Sequence, residues 1–273
     1  MKPVDFDHTV PETLDAAIGA LEAGGEVRLL GGGQSLGPML NLRLARPARL
    51  VDVGGLDDLR SATATDEHVE IGAGVTHADI EDGAVPDPIP GMLPYVASGI
   101  AYRAVRNRGT LGGSLCHADP AADWISVMTA LDARVVTAAS DGGREIDMFT
   151  FMPGAYRTAL APGELVRAVR VPRFSEGAVW GYHKTCRKVG EFAIAIGVFV
   201  ADPAKAYCRV VFGAAAGAPL VSPTLASLIA ETGQVPDLAA IERGLDTLDP
   251  TLSEVKARQL AVALRRAVAG AIE

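Results

Sequence analysis

Two glycine clusters are where this chain's backbone could do chemistry. The first is Leu30-Gly31-Gly32-Gly33-Gln34-Ser35-Leu36-Gly37-Pro38 and the second is Thr110-Leu111-Gly112-Gly113-Ser114. Without a β-carbon, glycine lets N–H groups turn toward one point and lets a ligand approach the main chain. A run of such groups forms a concave nest that suits phosphate oxygens. Gln34 and Ser35 add side-chain hydrogen bonds at the same place. Two nests in one chain suit a ligand with two phosphates held from both sides. The plain alternative is a pair of tight turns, the second one capping the preceding helix through Gly109. Gly31, Gly33 and Gly37 also fall one residue off the Gly-x-Gly-x-x-Gly dinucleotide fingerprint, with Asp52 as the acid ending the next strand. Pro38 and the short stretch from Gly37 to Leu50 count against it, because a packed crossover helix with two loops barely fits there.

The elements that position these clusters follow from periodicity. Leu14, Ala17, Ile18 and Leu21 share one helical face, ended by Gly24-Gly25. Residues 26–30 read as a strand running into the first cluster, 50–53 as the next strand, and 68–75 as an alternating one. Pro86, Pro88, Pro90 and Pro94 mark a loop before a helix over 95–108, whose last turns carry Arg103, Arg106 and Arg108. Asp119-Pro120 reads as a helix start, with Asp119 as N-cap and Trp124, Val127, Met128 and Leu131 following. Strands are predicted at 134–138 and 165–171, then three more at 178–186, 192–201 and 207–216, which favour an antiparallel sheet. Helices over 224–231, 236–248 and 252–272 close the chain. The architecture expected is α+β, with a break near residue 172 between a larger part, 1–172, and a smaller sheet-plus-helix part, 173–273.

Composition narrows the field. The 273 residues carry 33 acidic against 25 basic side chains, a net charge of −8, which argues against the basic face a nucleic-acid partner needs. At 49% hydrophobic and 21% charged, the chain has the makings of a core and is not a disordered one. The longest apolar runs, such as 192–201, are about half of a membrane span. The acidic start has no apolar leader, so a cytoplasmic protein is expected. Cys116, Cys186 and Cys208 are odd in number and have no Cys-x-x-Cys spacing, so neither a disulfide framework nor a zinc or iron–sulfur site is encoded locally.

Three blocks together carry a family resemblance: 31–53 (GGGQSLGPMLNLRLARPARLVDV), 101–124 (AYRAVRNRGTLGGSLCHADPAADW) and 184–195 (KTCRKVGEFAIA). In order and spacing, the chain resembles the flavin-binding medium subunit of molybdenum hydroxylases, the family of the carbon monoxide dehydrogenase medium subunit and the xanthine dehydrogenase flavin domain. The resemblance implies a vanillyl-alcohol-oxidase-like (PCMH-type) FAD-binding domain in two lobes, about 1–56 and 57–172, and a C-terminal domain with a three-stranded sheet and helices. It implies FAD as this chain's cofactor. Gly31 to Ser35, flanked by Leu30 and Leu36, matches a first pyrophosphate loop, and Thr110, Leu111, Gly112, Gly113 and Ser114 match a second. Asp123 matches a carboxylate contacting the ribityl or ring region, Lys184 a lysine near the isoalloxazine, and Ile100 a residue lying against the ring. Gln34 stands where relatives often carry His. The [2Fe-2S] clusters and the molybdenum cofactor are implied on partner chains, a small iron–sulfur subunit and a large molybdopterin subunit, in a dimer of heterotrimers. Electrons would run from those clusters through FAD to an external acceptor. No general acid, general base or metal ligand is assigned to this chain. The competing readings are a stand-alone FAD oxidoreductase of the same fold, a flavin-free assembly subunit and a Rossmann dehydrogenase.

Overall fold

The computed structural model describes residues 2–272, so the outer limits of the two expected domains, residues 1 and 273, lie outside the described residues. Thr13 starts the first helix by accepting the Ala16 N–H at 3.1 Å. Around it lie β1 (Asp7–Thr9), α1 (Leu14–Glu22), β2 (Val27–Leu30), α2 (Leu36–Asn41) and β3 (Arg49–Asp52). The three strands form a parallel sheet in the order β1-β3-β2. This corrects the spacing argument: β2 and β3 do pair in parallel, across a crossover whose helix, α2, is only six residues long. Ala17, Ile18, Val51 and Val53 pack with Ala138 and Leu165 from the next sheet, tying this lobe to the rest of the chain.

The middle of the chain contributes β4 (Ala62–Ala64), β5 (His68–Gly72), α3 (His77–Glu81), α4 (Met92–Ser98), α5 (Arg103–Arg106), α6 (Leu111–His117) and α7 (Asp123–Ala130). It continues with β6 (Arg134–Ala138), β7 (Glu145–Asp147), α8 (Met148–Phe151) and β8 (Leu165–Pro172). Its five strands form an antiparallel sheet, β4-β5-β8-β6-β7.

Three sequence expectations fail here, each for a local reason. The helix expected over 95–108 is two helices, α4 and α5, because Ala101 takes φ 45° between them. Pro94 is not in a loop but in the first turn of α4, where the missing N–H costs nothing. The helix expected from Asp119-Pro120 starts at Asp123, with Ala122 as N-cap. Asp119 instead caps its own turn through the Ala121 N–H at 2.9 Å, and the Pro120 carbonyl accepts from Ala214, not from a residue one turn ahead.

The remaining elements are β9 (Val179–Thr185), β10 (Ala195–Asp202), β11 (Tyr207–Gly213), β12 (Leu220–Val221), α9 (Pro223–Thr232), α10 (Leu238–Leu248) and α11 (Glu254–Ile272). The antiparallel sheet has the order β12-β11-β10-β9, so the two-residue β12 adds a fourth strand to the three expected. β10 reads as an unbroken apolar run because both its faces are covered. Ile196, Val198 and Val200 join the core around α7, while Ala195 and Phe199 pack with Leu260 and Leu264 of α11. Every residue of α7 is buried, with Trp124, Ile125, Val127 and Met128 fully enclosed between the two larger sheets. Full burial of such side chains stabilises by roughly 1.5–3 kcal/mol each. It also fixes α7, and with it Asp123, as a rigid base for the site.

Candidate functional site

The two glycine clusters, far apart in sequence, abut in space. A β-carbon added at Gly32 would overlap the Arg108 carbonyl oxygen and sit 2.8 Å from the Gly109 nitrogen, so only glycine fits there. Gly31 faces the Thr110 hydroxyl, which an added β-carbon would meet at 3.3 Å. The backbone N–H groups from Gly31 to Leu36 donate to no acceptor among the described residues. These residues are only partly buried, with Gln34 exposed. The Gln34 amide turns back to the Gly32 carbonyl at 3.2 Å, and the Ser35 hydroxyl makes no cap bond to α2. Partly buried N–H groups are seldom left unpaired. With no acceptor for them among the described residues, this run has the donors to take anionic oxygens.

The second cluster differs from its sequence reading. Leu111 N–H donates to the Val75 carbonyl at 3.0 Å, Gly112 N–H to Ala73 at 2.9 Å, and Ser114 N–H to the Thr110 carbonyl at 3.0 Å. Gly113 N–H is held by the Thr110 side chain at 3.1 Å. Thr110 is thus the N-cap of α6, and the four N–H groups expected to make a second nest are all used inside the fold. Leu111 is wholly buried in the core, and Gly112 is buried against Ala73. What this cluster offers a ligand is the exposed Gly113 and the Thr110 and Ser114 hydroxyls.

A second group forms where β9 passes α7 and the end of α4. Asp123, the first residue of α7, and Lys184 of β9 are an ion pair at 3.0 Å, with side chains only 7% and 9% exposed. Lys184 Nζ also donates to the Gly99 carbonyl at 3.3 Å, which leaves one of its three donors for a ligand. Tyr182 donates its phenol to the other side of the Asp123 carboxylate. Burial pushes the Asp123 carboxyl above the usual carboxylate range, while the Lys184 charge and the Tyr182 hydrogen bond pull against it. Burial and the neighbouring carboxylate push the Tyr182 phenol well up, so it stays protonated and donates. Tyr182 was missed in sequence, although strand alternation was a signal: Trp180, Tyr182 and Lys184 lie on one face of β9. Tyr95 lies against both Trp180 and Tyr182, with ring centroids 5.5 and 6.4 Å apart, and extends that face as an aromatic wall. Ile100, in the turn after α4, pairs with Gly190 in an isolated parallel bridge, which brings the Lys188–Phe192 loop against the site. On that loop Val189 and Phe192 are exposed.

His77 has a structural task. Its Nδ1 accepts from Trp124 Nε1 at 3.1 Å, so the ring is neutral with its proton on Nε2. Burial, then the Arg106 charge, lowers its pKa to about 4 from 6.5. The folded state binds this proton less readily than the unfolded chain does. Stability is therefore complete above pH 6.5 and falls as the pH drops toward 4. Between pH 7.5 and 4.5 this one group is expected to cost about 2–3 kcal/mol. Urea unfolding at the two pH values should show wild type losing that much more than His77→Gln; equal losses would refute the assignment. Among the described residues, no three or more His, Cys, Asp or Glu side chains are grouped to hold a metal ion, and no helix is long and apolar enough to cross a membrane.

Comparison with known proteins defines the class first. Residues 4–174 match the family described as the FAD binding domain in molybdopterin dehydrogenase, and the chain belongs to that family of oxidoreductases. Several relatives in it are named as medium chains or medium subunits. The chain is 36% identical over 195 residues to the 6-hydroxypseudooxynicotine dehydrogenase complex subunit alpha of Paenarthrobacter nicotinovorans, covering 71% of this chain and 66% of that protein. It is 34% identical over 196 residues to the carbon monoxide dehydrogenase medium chain of Hydrogenophaga pseudoflava, covering 71% and 68%. The matched stretches thus span about two thirds of those relatives' lengths. In structure, a chain of reconstituted CO dehydrogenase from Oligotropha carboxidovorans superposes with a TM-score of 0.89 at 28% identity, covering 99% of both chains. A chain of quinoline 2-oxidoreductase from Pseudomonas putida 86 superposes with a TM-score of 0.88 at 29% identity, covering 100% of this chain and 98% of that one.

Proposed function

We propose that this chain is the FAD-binding medium subunit of a molybdenum hydroxylase complex. In this reading it takes electrons from [2Fe-2S] clusters on a small partner subunit and passes them to an external acceptor, while a molybdopterin subunit hydroxylates the substrate. The observation that carries the FAD assignment is the run of unpaired N–H groups from Gly31 to Leu36, a cradle of the right chemistry for a diphosphate. The Thr110 and Ser114 hydroxyls supply the opposite side, with Leu30, Leu36 and Ile100 as partly buried apolar contacts. The buried Asp123–Lys184 pair, with its one remaining ammonium donor, fits the ring end. Bound FAD would supply one- and two-electron transfer, and a lysine cation in a partly dry site favours negative charge on it. Tyr182 and Asp123 hold that cation in place; no proton transfer is assigned to either.

The division at residue 172 belongs to the same reading. Residues 1–172 hold the cofactor, and the sheet and helices of 173–273 carry Lys184 to it. The subunit assignment is tested by affinity purification of the tagged chain from its native host. Co-purification of a [2Fe-2S] protein and a molybdopterin protein, with substrate-dependent bleaching of the flavin in the complex only, is the expected outcome. A flavoprotein that purifies alone and turns over substrate would overturn it in favour of a stand-alone oxidase or dehydrogenase.

A further inference from the structure

The chain between α4 and α5 follows an unfavourable path. Ala101 holds φ 45°, a left-handed conformation that is unfavourable for a non-glycine residue and persists only where surroundings enforce it. Two contacts enforce it. Ala101 N–H donates to the Gly190 carbonyl at 3.1 Å, and Arg106 Nη1 donates to the carbonyls of both Ile100 and Ala101 at 3.0 Å. Arg106 is itself locked: its Nε and Nη2 form a fork on Glu81, at 2.7 and 2.8 Å, with the Arg106 side chain 11% exposed. Only a planar guanidinium can hold a carboxylate on one edge and two carbonyls on another. One residue before the clamped turn, the Gly99 carbonyl is the second acceptor of Lys184 Nζ.

We propose that Arg106, oriented by Glu81, is a positioning residue for the cofactor ring: it fixes the Gly99–Ala101 turn, and through the Gly99 carbonyl it fixes where the Lys184 cation sits. The inference rests on the FAD reading above. Without the clamp, the turn relaxes, the Gly99 carbonyl withdraws and Lys184 closes on Asp123. The cation is then better neutralised and favours reduced flavin less. Arg103 supplies the contrast. It binds the same Glu81 and also Asp82, but it is 47% exposed and touches no carbonyl of the turn, and such surface pairs contribute little.

The test compares wild type, Arg106→Gln and Arg103→Ala as full chains, in the complex if partners co-purify. Thermal unfolding, FAD affinity by fluorescence quenching and flavin midpoint potential are measured on each. For Arg106→Gln we expect at least tenfold weaker FAD binding. We also expect about a tenfold fall in the preference for reduced over oxidised flavin, a drop of about 30 mV for a two-electron couple. Arg103→Ala should leave both at wild-type values. If Arg106→Gln does not fold, Glu81→Gln, which loosens the fork and keeps the arginine, should move the potential in the same direction by a smaller amount. A folded Arg106→Gln or Glu81→Gln with wild-type potential, whatever its melting temperature, would overturn the proposal. Wild type that binds no FAD would instead overturn the cofactor reading on which it rests.

Discussion

Gly32→Ala should purify without flavin. The methyl group would be driven into the main-chain carbonyl of Arg108, and no rotamer change can relieve an overlap with backbone. Either the first cluster moves off the second or the Arg108–Gly109 segment moves, and both pull the N–H run away from the Thr110 side. Overpacking a core with side chains costs about 1–3 kcal/mol, and an immovable carbonyl puts this site at the upper end. About 3 kcal/mol taken from binding is a loss of at least a hundredfold in FAD affinity. Gly37→Ala is the matched control. It lies in the same segment with open space around it, and alanine suits a helix better than glycine. Flavin-to-protein ratio and a fluorescence titration read both variants. Equal flavin content in the two would mean that the contact between clusters does not shape the site.

Lys184→Met should be the costliest change at the other end. It leaves the Asp123 carboxylate enclosed with only the Tyr182 phenol beside it, and breaking a buried pair from one side costs about 3–5 kcal/mol. The sign with pH follows from Asp123. Its folded pKa is already raised by burial and rises further without the lysine, so the variant should regain stability as the pH falls and the carboxyl protonates. Adding Asp123→Asn to the same chain removes the stranded charge and should restore a good part of the loss. Denaturant unfolding of the two single variants and the double one gives the coupling directly. A Lys184→Met chain within 1 kcal/mol of wild type at neutral pH would show that the pair is not held as described.

The sequence made visible what depends on neighbours along the chain. The shared face of Leu14, Ala17, Ile18 and Leu21 marked α1, and the apolar run over 192–201 marked a strand. The glycine clusters were visible as clusters. Their meeting was not, because the contact of Gly32 with Arg108 and Gly109 joins segments that only the fold brings together. The same limit explains the errors. Asp119 looks like a helix cap until the Pro120 carbonyl is taken by Ala214, and the 95–108 helix looks continuous until Arg106 and Gly190 bend it at Ala101. The Thr110–Ser114 N–H groups looked free until Ala73 and Val75 accepted two of them. Asp123 and Lys184 were drawn from family resemblance, and the fold places them in contact. Tyr182 is a member of the same group that alternation along β9 could have supplied.

In the proposed function the Gly31–Leu36 backbone holds one FAD by its diphosphate. Titration of the flavin-free chain with FAD, FMN and riboflavin tests it most directly, since only FAD carries the diphosphate. One FAD should bind per chain, with FMN and riboflavin at least a hundredfold weaker. Equal affinity for all three, or no binding of FAD by a folded chain, would contradict it.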